Sequence, residues 1–213
     1  MRIDPAGWPF VLGTAAIALA CWLAGYATVA AVLGLVTAAF LLFFRDPERR
    51  VLAQAGEVLS PADGRVLVAG PAQPGAAPPG EWQQVSIFLS PMDVHVNRLP
   101  VGGTVLKVDY HPGKFLPAYR ADAGASNERT EVWVDHDGQT IVFRQVVGIL
   151  ARRIVCRVKT GDRVEAGARF GVMKFGSRMD VFVPVTATLR VSVGDRARAG
   201  VTVLATLRGK AGS

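Results

Sequence analysis

The sequence predicts a mainly β domain, of small sandwich or barrel type, preceded by an apolar helical hairpin. Three observations predict it. From Val51 onward, short alternating runs are broken by Gly, Pro and Asp, and no long stretch has a helical period. A segment with a distinctive turn signature occurs twice near the C-terminus. Before all of this, Trp8 to Phe44 contains no Asp, Glu, Lys or Arg.

The apolar segment reads "WPFVLGTAAIALACWLAGYATVAAVLGLVTAAFLLFF". A single upright span needs about 20 apolar residues, so this run is too long for one and short for two. "AGYA" at Ala24–Ala27 supplies a break near the middle. The expectation is a tight hairpin of two short limbs over about residues 8–44, with one tilted span as the alternative. A secretory signal would have a shorter apolar core and a small-residue cleavage site. Arg45, Arg49 and Arg50 follow the apolar end, so the positive-inside tendency puts the later domain on the cytoplasmic face of the cell membrane. A hairpin leaves Arg2 on that side too. Residues 1–50 are thus read as a membrane anchor and 51–213 as a separate domain.

In that domain "EVLSPADGRVLVAG", "WQQVSIFLS", "GGTVLKVDY", "TEVWVDHDGQTIVFRQV", "RRIVCRVK" and "DVFVPVTATLRVSV" read as strands or hairpins. "HDGQ" marks a tight turn. "AGPAQPGAAPPGEW" is a Pro/Gly/Ala loop. "TGDRVEAGARFGVM" (Thr160–Met173) returns as "VGDRARAGVTVLAT" (Val193–Thr206), which predicts two similar hairpins about a pseudo-dyad. Two copies are too few for a solenoid.

Composition narrows the function classes. The 213 residues carry a formal net charge of +7, with half of them hydrophobic. The charge suits an anionic membrane surface. The aromatic residues do not interleave with the basic ones, which disfavours nucleic acid. Cys21 and Cys156 have no CxxC partner and no His/Cys cluster, so no metal site is expected. Both are read as small buried residues. The sequence is compatible with a homo-oligomer.

The chemistry turns on "GVMKFGSRMDVFVP" (171–184). The first repeat unit resembles the hammerhead hairpin of biotinyl and lipoyl carrier domains, with Lys174 about where their modified lysine stands. The flanking residues differ from the carrier pattern, since Val172 and Phe175 stand beside "MK". A carrier module modified at Lys174 is therefore one reading. A membrane-tethered β domain with no chemistry is another. A third is that Ser177 attacks the carbonyl of Gly176, whose missing side chain leaves the approach open. That acyl shift, β-elimination and hydrolysis would leave a pyruvoyl group.

"LSPADGRV" (59–66), "LSPMDVHVNRLPVGGTV" (89–105), "YHPGKF" (110–115), "SNERTEV" (126–132) and "FGSRMDVFVP" (175–184) occur in that order. Together they resemble the phosphatidylserine decarboxylase family, in its short form with an apolar N-terminal segment. The resemblance covers nearly the whole later domain. It implies a pyruvoyl-dependent carboxy-lyase made as a zymogen and cut between Gly176 and Ser177 into a β chain (1–176) and an α chain (177–213). The pyruvoyl group from Ser177 would form a Schiff base with phosphatidylserine and release CO2 to give phosphatidylethanolamine, with no metal. Asp63 matches the family's acidic residue that orients the base for processing, and His95 a functional histidine; a serine hydroxyl needs such a base before it attacks. Where longer members carry a second histidine, this chain has Arg98. Either His95 serves both half-reactions or Asp63 acts more directly. Arg152 and Arg153 are candidates for the lipid phosphate or carboxylate; as strand neighbours they face opposite ways, so at most one would enter the pocket.

Overall fold

The computed structural model describes residues 2–73, 75, 77–149, 154–173 and 177–208. It divides into two compact units, Met1–Glu48 and Arg49–Ser213.

In the first unit, β1 (Arg2–Ile3) pairs antiparallel with β2 (Arg45–Asp46), clipping the two ends of a helical hairpin together. The limbs are α1 (Trp8–Leu23) and α2 (Ala27–Phe43). The break falls within "AGYA", where Gly25 takes a φ of 86°. At 16 and 17 residues the helices are roughly 24–26 Å long, a little under the hydrocarbon core of a bilayer. By length and composition, Pro5–Leu23 qualifies as a membrane-crossing helix; Ala27–Phe43 is shorter. Neither helix has a buried stripe to pack inside a soluble core, and most of the apolar side chains face outward. Polar atoms are satisfied within the hairpin: Thr14 Oγ1 donates to Phe10 O at 2.8 Å and accepts from Thr37 Oγ1 at 2.9 Å.

Among the described residues, the second unit has fourteen strands and one short helix. In chain order they are β3 (Glu57–Leu59), β4 (Gly64–Pro71), β5 (Trp82–Leu89), β6 (Val96–Arg98), β7 (Gly103–His111), α3 (Ala123–Ser126), β8 (Arg129–His136), β9 (Gln139–Val146), β10 (Ile154–Cys156), β11 (Arg163–Val164), β12 (Arg169–Met173), β13 (Ser177–Pro184), β14 (Thr188–Leu189), β15 (Arg196–Ala197) and β16 (Val203–Thr206). A curled eight-stranded sheet runs β11-β7-β8-β9-β13-β5-β4-β15, and two three-stranded sheets, β10-β12-β6 and β14-β16-β3, complete the wall. The "HDGQ" turn joins β8 to β9 with φ of 52° at Asp137 and 76° at Gly138, the twist that two-residue hairpins favour.

The sequence repeat has a structural counterpart. Its first short strands, β11 and β15, cap the two opposite edges of the large sheet, and its second strands, β12 and β16, sit centrally in the two small sheets. The turns match bond for bond. Asp162 Oδ2 accepts from Lys159 N and Asp195 Oδ2 from Ser192 N, each at 2.8 Å. Gly161 N donates to Val105 O and Gly194 N to Val66 O. Each cap covers two positions of its edge strand and leaves a very short strand at the edge, which shortens the ladder open to other chains.

The core lies between the sheets. Val85, Ile87, Leu89, Val132, Val134, Ile141, Phe143, Met179 and Val181 project inward at alternating strand positions. Cys156 is only half-buried at the edge of this core, and Cys21 is half-buried too, less enclosed than their sequence contexts suggest.

Candidate active site

The stretch that raises the chemical question does not form one continuous strand. β12 ends at Met173 in a small sheet, and β13 begins at Ser177 in the large one. Ser177 is therefore the first residue of a central strand, opposite Leu89 at the end of β5. Its parity with Met179, Val181 and Val183 turns it to the inner face. It is fully buried, and its Oγ has no hydrogen-bond partner among the described residues.

Other polar groups interrupt the same inner face. Gln145, near the end of β9, donates from Nε2 to Asn97 Oδ1 at 2.9 Å and to Val155 O at 3.3 Å. This carboxamide bridges the large sheet to β6 and β10. Gly171, on β12 between them, leaves it room: a Cβ there would lie 2.3 Å from Val155 O and 2.6 Å from Gln145 Nε2. Asn97 Nδ2 and Gln145 Oε1 are buried without partners among the described residues, so the patch keeps a donor and an acceptor to spare.

His95 precedes β6 and is fully buried, whereas His111 and His136 are half-exposed. Its carbonyl accepts from Met173 N at 3.2 Å, tying it to the end of β12 from which the chain runs on to Ser177. Its Nδ1 lies 2.9 Å from Asp93 O. A carbonyl only accepts, so in the neutral ring the proton sits on Nδ1 and the basic lone pair on Nε2.

Asp63 is placed differently. Its carboxylate takes both arms of Arg49, at 2.5 and 2.7 Å, and Ala199 N at 2.8 Å. It makes no hydrogen bond to His95 or Ser177 among the described residues. Its link to the site is indirect. The turn it occupies accepts Arg98 N on Pro61 O at 2.9 Å and so fixes the strand that carries Asn97. Arg49, expected on a lipid-facing basic flank, has a side chain only 7% exposed because it is spent on this ion pair. Arg98 is buried and donates from Nη1 to Gly167 O at 3.0 Å; a guanidinium stays protonated and cannot act as a base. Gly176, Lys174, Arg152 and Arg153 lie outside the described residues.

The outer face of β13 carries a second polar set that sequence reading missed. Arg178, next to Ser177, is 1% exposed. It donates from Nε to Asp180 Oδ1 at 2.6 Å and from Nη2 to Ser86 Oγ at 2.9 Å, and its Nη1 reaches Arg120 O at 3.3 Å. Two charges in an i, i+2 pair on an otherwise apolar strand were a readable signal for one face, though not for their partner Ser86. Further along this face Arg144 pairs with Glu131, which also accepts from Trp133 Nε1 at 2.7 Å, and the guanidinium lies 4.9 Å from the Phe182 ring centroid. Asp109, His111 and Glu131 bring ligand atoms within 4.8 Å of one another. Both carboxylates are already committed to cations, Asp109 to Lys107 and Glu131 to Arg144, which weakens their attraction for a metal ion.

A buried serine at a strand start, on the inner face, and a buried histidine tied to the preceding strand make up the candidate site. The family model described as phosphatidylserine decarboxylase matches residues 36–205. The chain belongs to the phosphatidylserine decarboxylase family. Among its relatives, the phosphatidylserine decarboxylase proenzyme of Magnetococcus marinus is 41% identical over 208 residues, covering 96% of this chain and 94% of its own. That of Granulibacter bethesdensis is 43% identical over 209 residues, 95% and 84% of the two chains. That of Chlorobium phaeobacteroides reaches 47% over 167 residues, 77% and 76% of the two. The family is one of decarboxylases.

Proposed function

We propose that this chain converts phosphatidylserine to phosphatidylethanolamine after cutting itself between Gly176 and Ser177. One observation carries the reading: Ser177 Oγ is buried without a hydrogen-bond partner among the described residues, on a strand that starts at that serine. A buried hydroxyl left unpaired costs free energy, about 1–3 kcal/mol, and such a cost persists where chemistry uses it.

His95 Nε2 takes the Ser177 hydroxyl proton, and Oγ attacks the Gly176 carbonyl carbon, turning the amide into an ester. Elimination breaks the Cβ–Oγ bond and leaves Gly176 as a carboxylate. Water then enters and ammonia leaves, so the balance is precursor plus water to two chains plus ammonia. Asp63, through the Arg49 pair and the turn at Pro61, holds β6 in place during these steps.

The residues fit a pyruvoyl group at position 177. The position is closed to bulk water, and Asn97 Nδ2 is a buried donor with no partner among the described residues. Such a group supplies an electron sink for the pair released when the substrate carboxylate departs as CO2. His95, protonated at Nε2, is the donor that returns a proton to the substrate α carbon. Arg178, clamped by Asp180 and Ser86, fixes the residue that follows the new chain end. The small chain stays bound without a covalent link, because β13 lies between β5 and β9, β15 on β4, and β16 on β3.

The apolar hairpin anchors the chain in the cell membrane with the β domain on the cytoplasmic face, beside anionic head groups. The carrier reading at Lys174 gains no support from the family match. Ser177→Ala tests the proposal: on a denaturing gel the wild-type chain gives two bands and the variant one, without decarboxylase activity. A variant that still released CO2 from phosphatidylserine would overturn it.

A further inference from the structure

The strand register puts a whole set of loops at one end of the large sheet. His111, Arg129, Val146, Arg178 and Phe88 pair in turn across β7, β8, β9, β13 and β5, so they form one row. Among the described residues, the 90–95 and 112–128 connections and residues 147–149 leave from this row, beside Ser177 at the start of β13. It is the end at which the candidate active site lies.

Four large apolar side chains, two of them aromatic, are exposed on the loops at this end. Met92 is 68% exposed, Tyr119 63%, Ile149 55% and Phe115 40%. Elsewhere on the described loops of the domain the exposed large apolar side chains are aliphatic and scattered: Leu52, Val185, Val193 and Val201. The exposure is built in. Asn127 is fully buried and grips the loop, accepting Leu116 N at 3.0 Å and donating to Leu116 O at 2.8 Å and Val147 O at 2.9 Å. One carboxamide thus ties the 112–128 connection to Val147 at the end of β9, and Phe115 and Ile149 are exposed close to the positions it ties. Tyr119 rests edge-on against Phe88, with ring centroids 6.1 Å apart. Exposed Lys114 and Arg120 flank the two aromatic residues.

We propose that this end of the β domain is a membrane-inserting rim, whose partner is a bilayer surface carrying anionic head groups. The inference rests on the function proposed above. A two-chain lipid can present its head group to a buried Ser177 and keep its acyl chains in the bilayer only if the site end meets the membrane. Apolar and aromatic tips with adjacent cations are the composition that settles at a lipid interface, with rings at head-group depth and lysine or arginine toward phosphates. Separate tips on three connections fit a fluid surface better than the continuous apolar core of a protein–protein contact.

The test uses the full chain with Cys21 and Cys156 replaced by alanine. Single cysteines are placed by Met92→Cys, Tyr119→Cys or Val185→Cys and labelled with an environment-sensitive dye. Each protein is reconstituted in equimolar phosphatidylcholine–phosphatidylglycerol vesicles with or without acyl-chain nitroxide lipids. Quenching and a blue shift at 92 and 119, but not at 185, are expected. Equal quenching at all three sites, or none at 92 and 119, overturns the proposal. In parallel, Met92→Asp/Ile149→Asp should lower the ratio of the rate on bilayer phosphatidylserine to that on a water-soluble short-chain form by roughly tenfold. An unchanged ratio also overturns it. Failure of the underlying function shows up separately, as a single uncleaved band or no turnover of the short-chain form by the unsubstituted chain.

Discussion

Removing the Asp180 carboxylate should destabilise the β domain sharply and slow its processing. Arg178 is 1% exposed and Asp180 is not exposed at all. Truncating one partner of such a pair strands the other charge out of water, which costs about 3–5 kcal/mol. Ser86 Oγ and Arg120 O remain as acceptors, so Asp180→Ala belongs near the lower figure. For a chain of this length about 3 kcal/mol corresponds to a fall in Tm of roughly 6–12 °C. The exposed pair Arg120–Asp122 provides the contrast, and Asp122→Asn should leave the transition almost unmoved. Replacing both partners, Arg178→Met with Asp180→Ala, should recover part of the loss, because no charge is then stranded. The assay is a urea or thermal transition in detergent on chains carrying Ser177→Ala, so that cleavage does not confound the reading. Asp180→Ala without that background should also accumulate uncleaved precursor, since β13 begins one residue before the clamp. A transition for Asp180→Ala indistinguishable from that of Asp122→Asn would refute the reasoning.

Three more expectations follow from the same geometry. Gly171→Ala should cost about 1–3 kcal/mol in urea unfolding, because its methyl would overlap Val155 O and the Gln145 carboxamide. His95→Gln should slow chain scission by on the order of 10²–10⁴, read from band intensities against time, with the fold retained by circular dichroism. Burial pushes the Cys156 thiol above its ordinary range, so its thiolate forms only at higher pH. Disulfide-exchange reagents should label it more slowly than a free cysteine at pH 8 and catch up as the pH rises or as the domain unfolds.

Local chemistry made much of the architecture legible. Alternation marked the strands of the large sheet, Asp137-Gly138 marked the hairpin that joins two of them, and "AGYA" marked the bend of the helical pair. The repeat of Gly-Asp-Arg turns predicted a pseudo-dyad but not where it acts, because only strand order shows that the two copies cap opposite sheet edges. Ser177 and His95 stood out through their motifs, and both are buried. Residues 171–184 run on without a break in the sequence pattern, yet β12 and β13 belong to different sheets, and a local pattern does not reveal a change of sheet. Gln145 and Asn97 were missed because their bond joins positions far apart in sequence, and register is a global property. Arg49 looked like a membrane-facing cation by proximity to the apolar segment; its pairing with Asp63 was not deducible from that neighbourhood.

The central claim is the conversion of Ser177, and intact-mass measurement of the purified, active protein tests it most directly. Two chains are predicted, one ending at Gly176 and one comprising 177–213 whose mass is lower than the serine-started peptide by one ammonia. A single full-length mass in a preparation that turns over phosphatidylserine, or a small chain retaining an unmodified N-terminal serine, would contradict it.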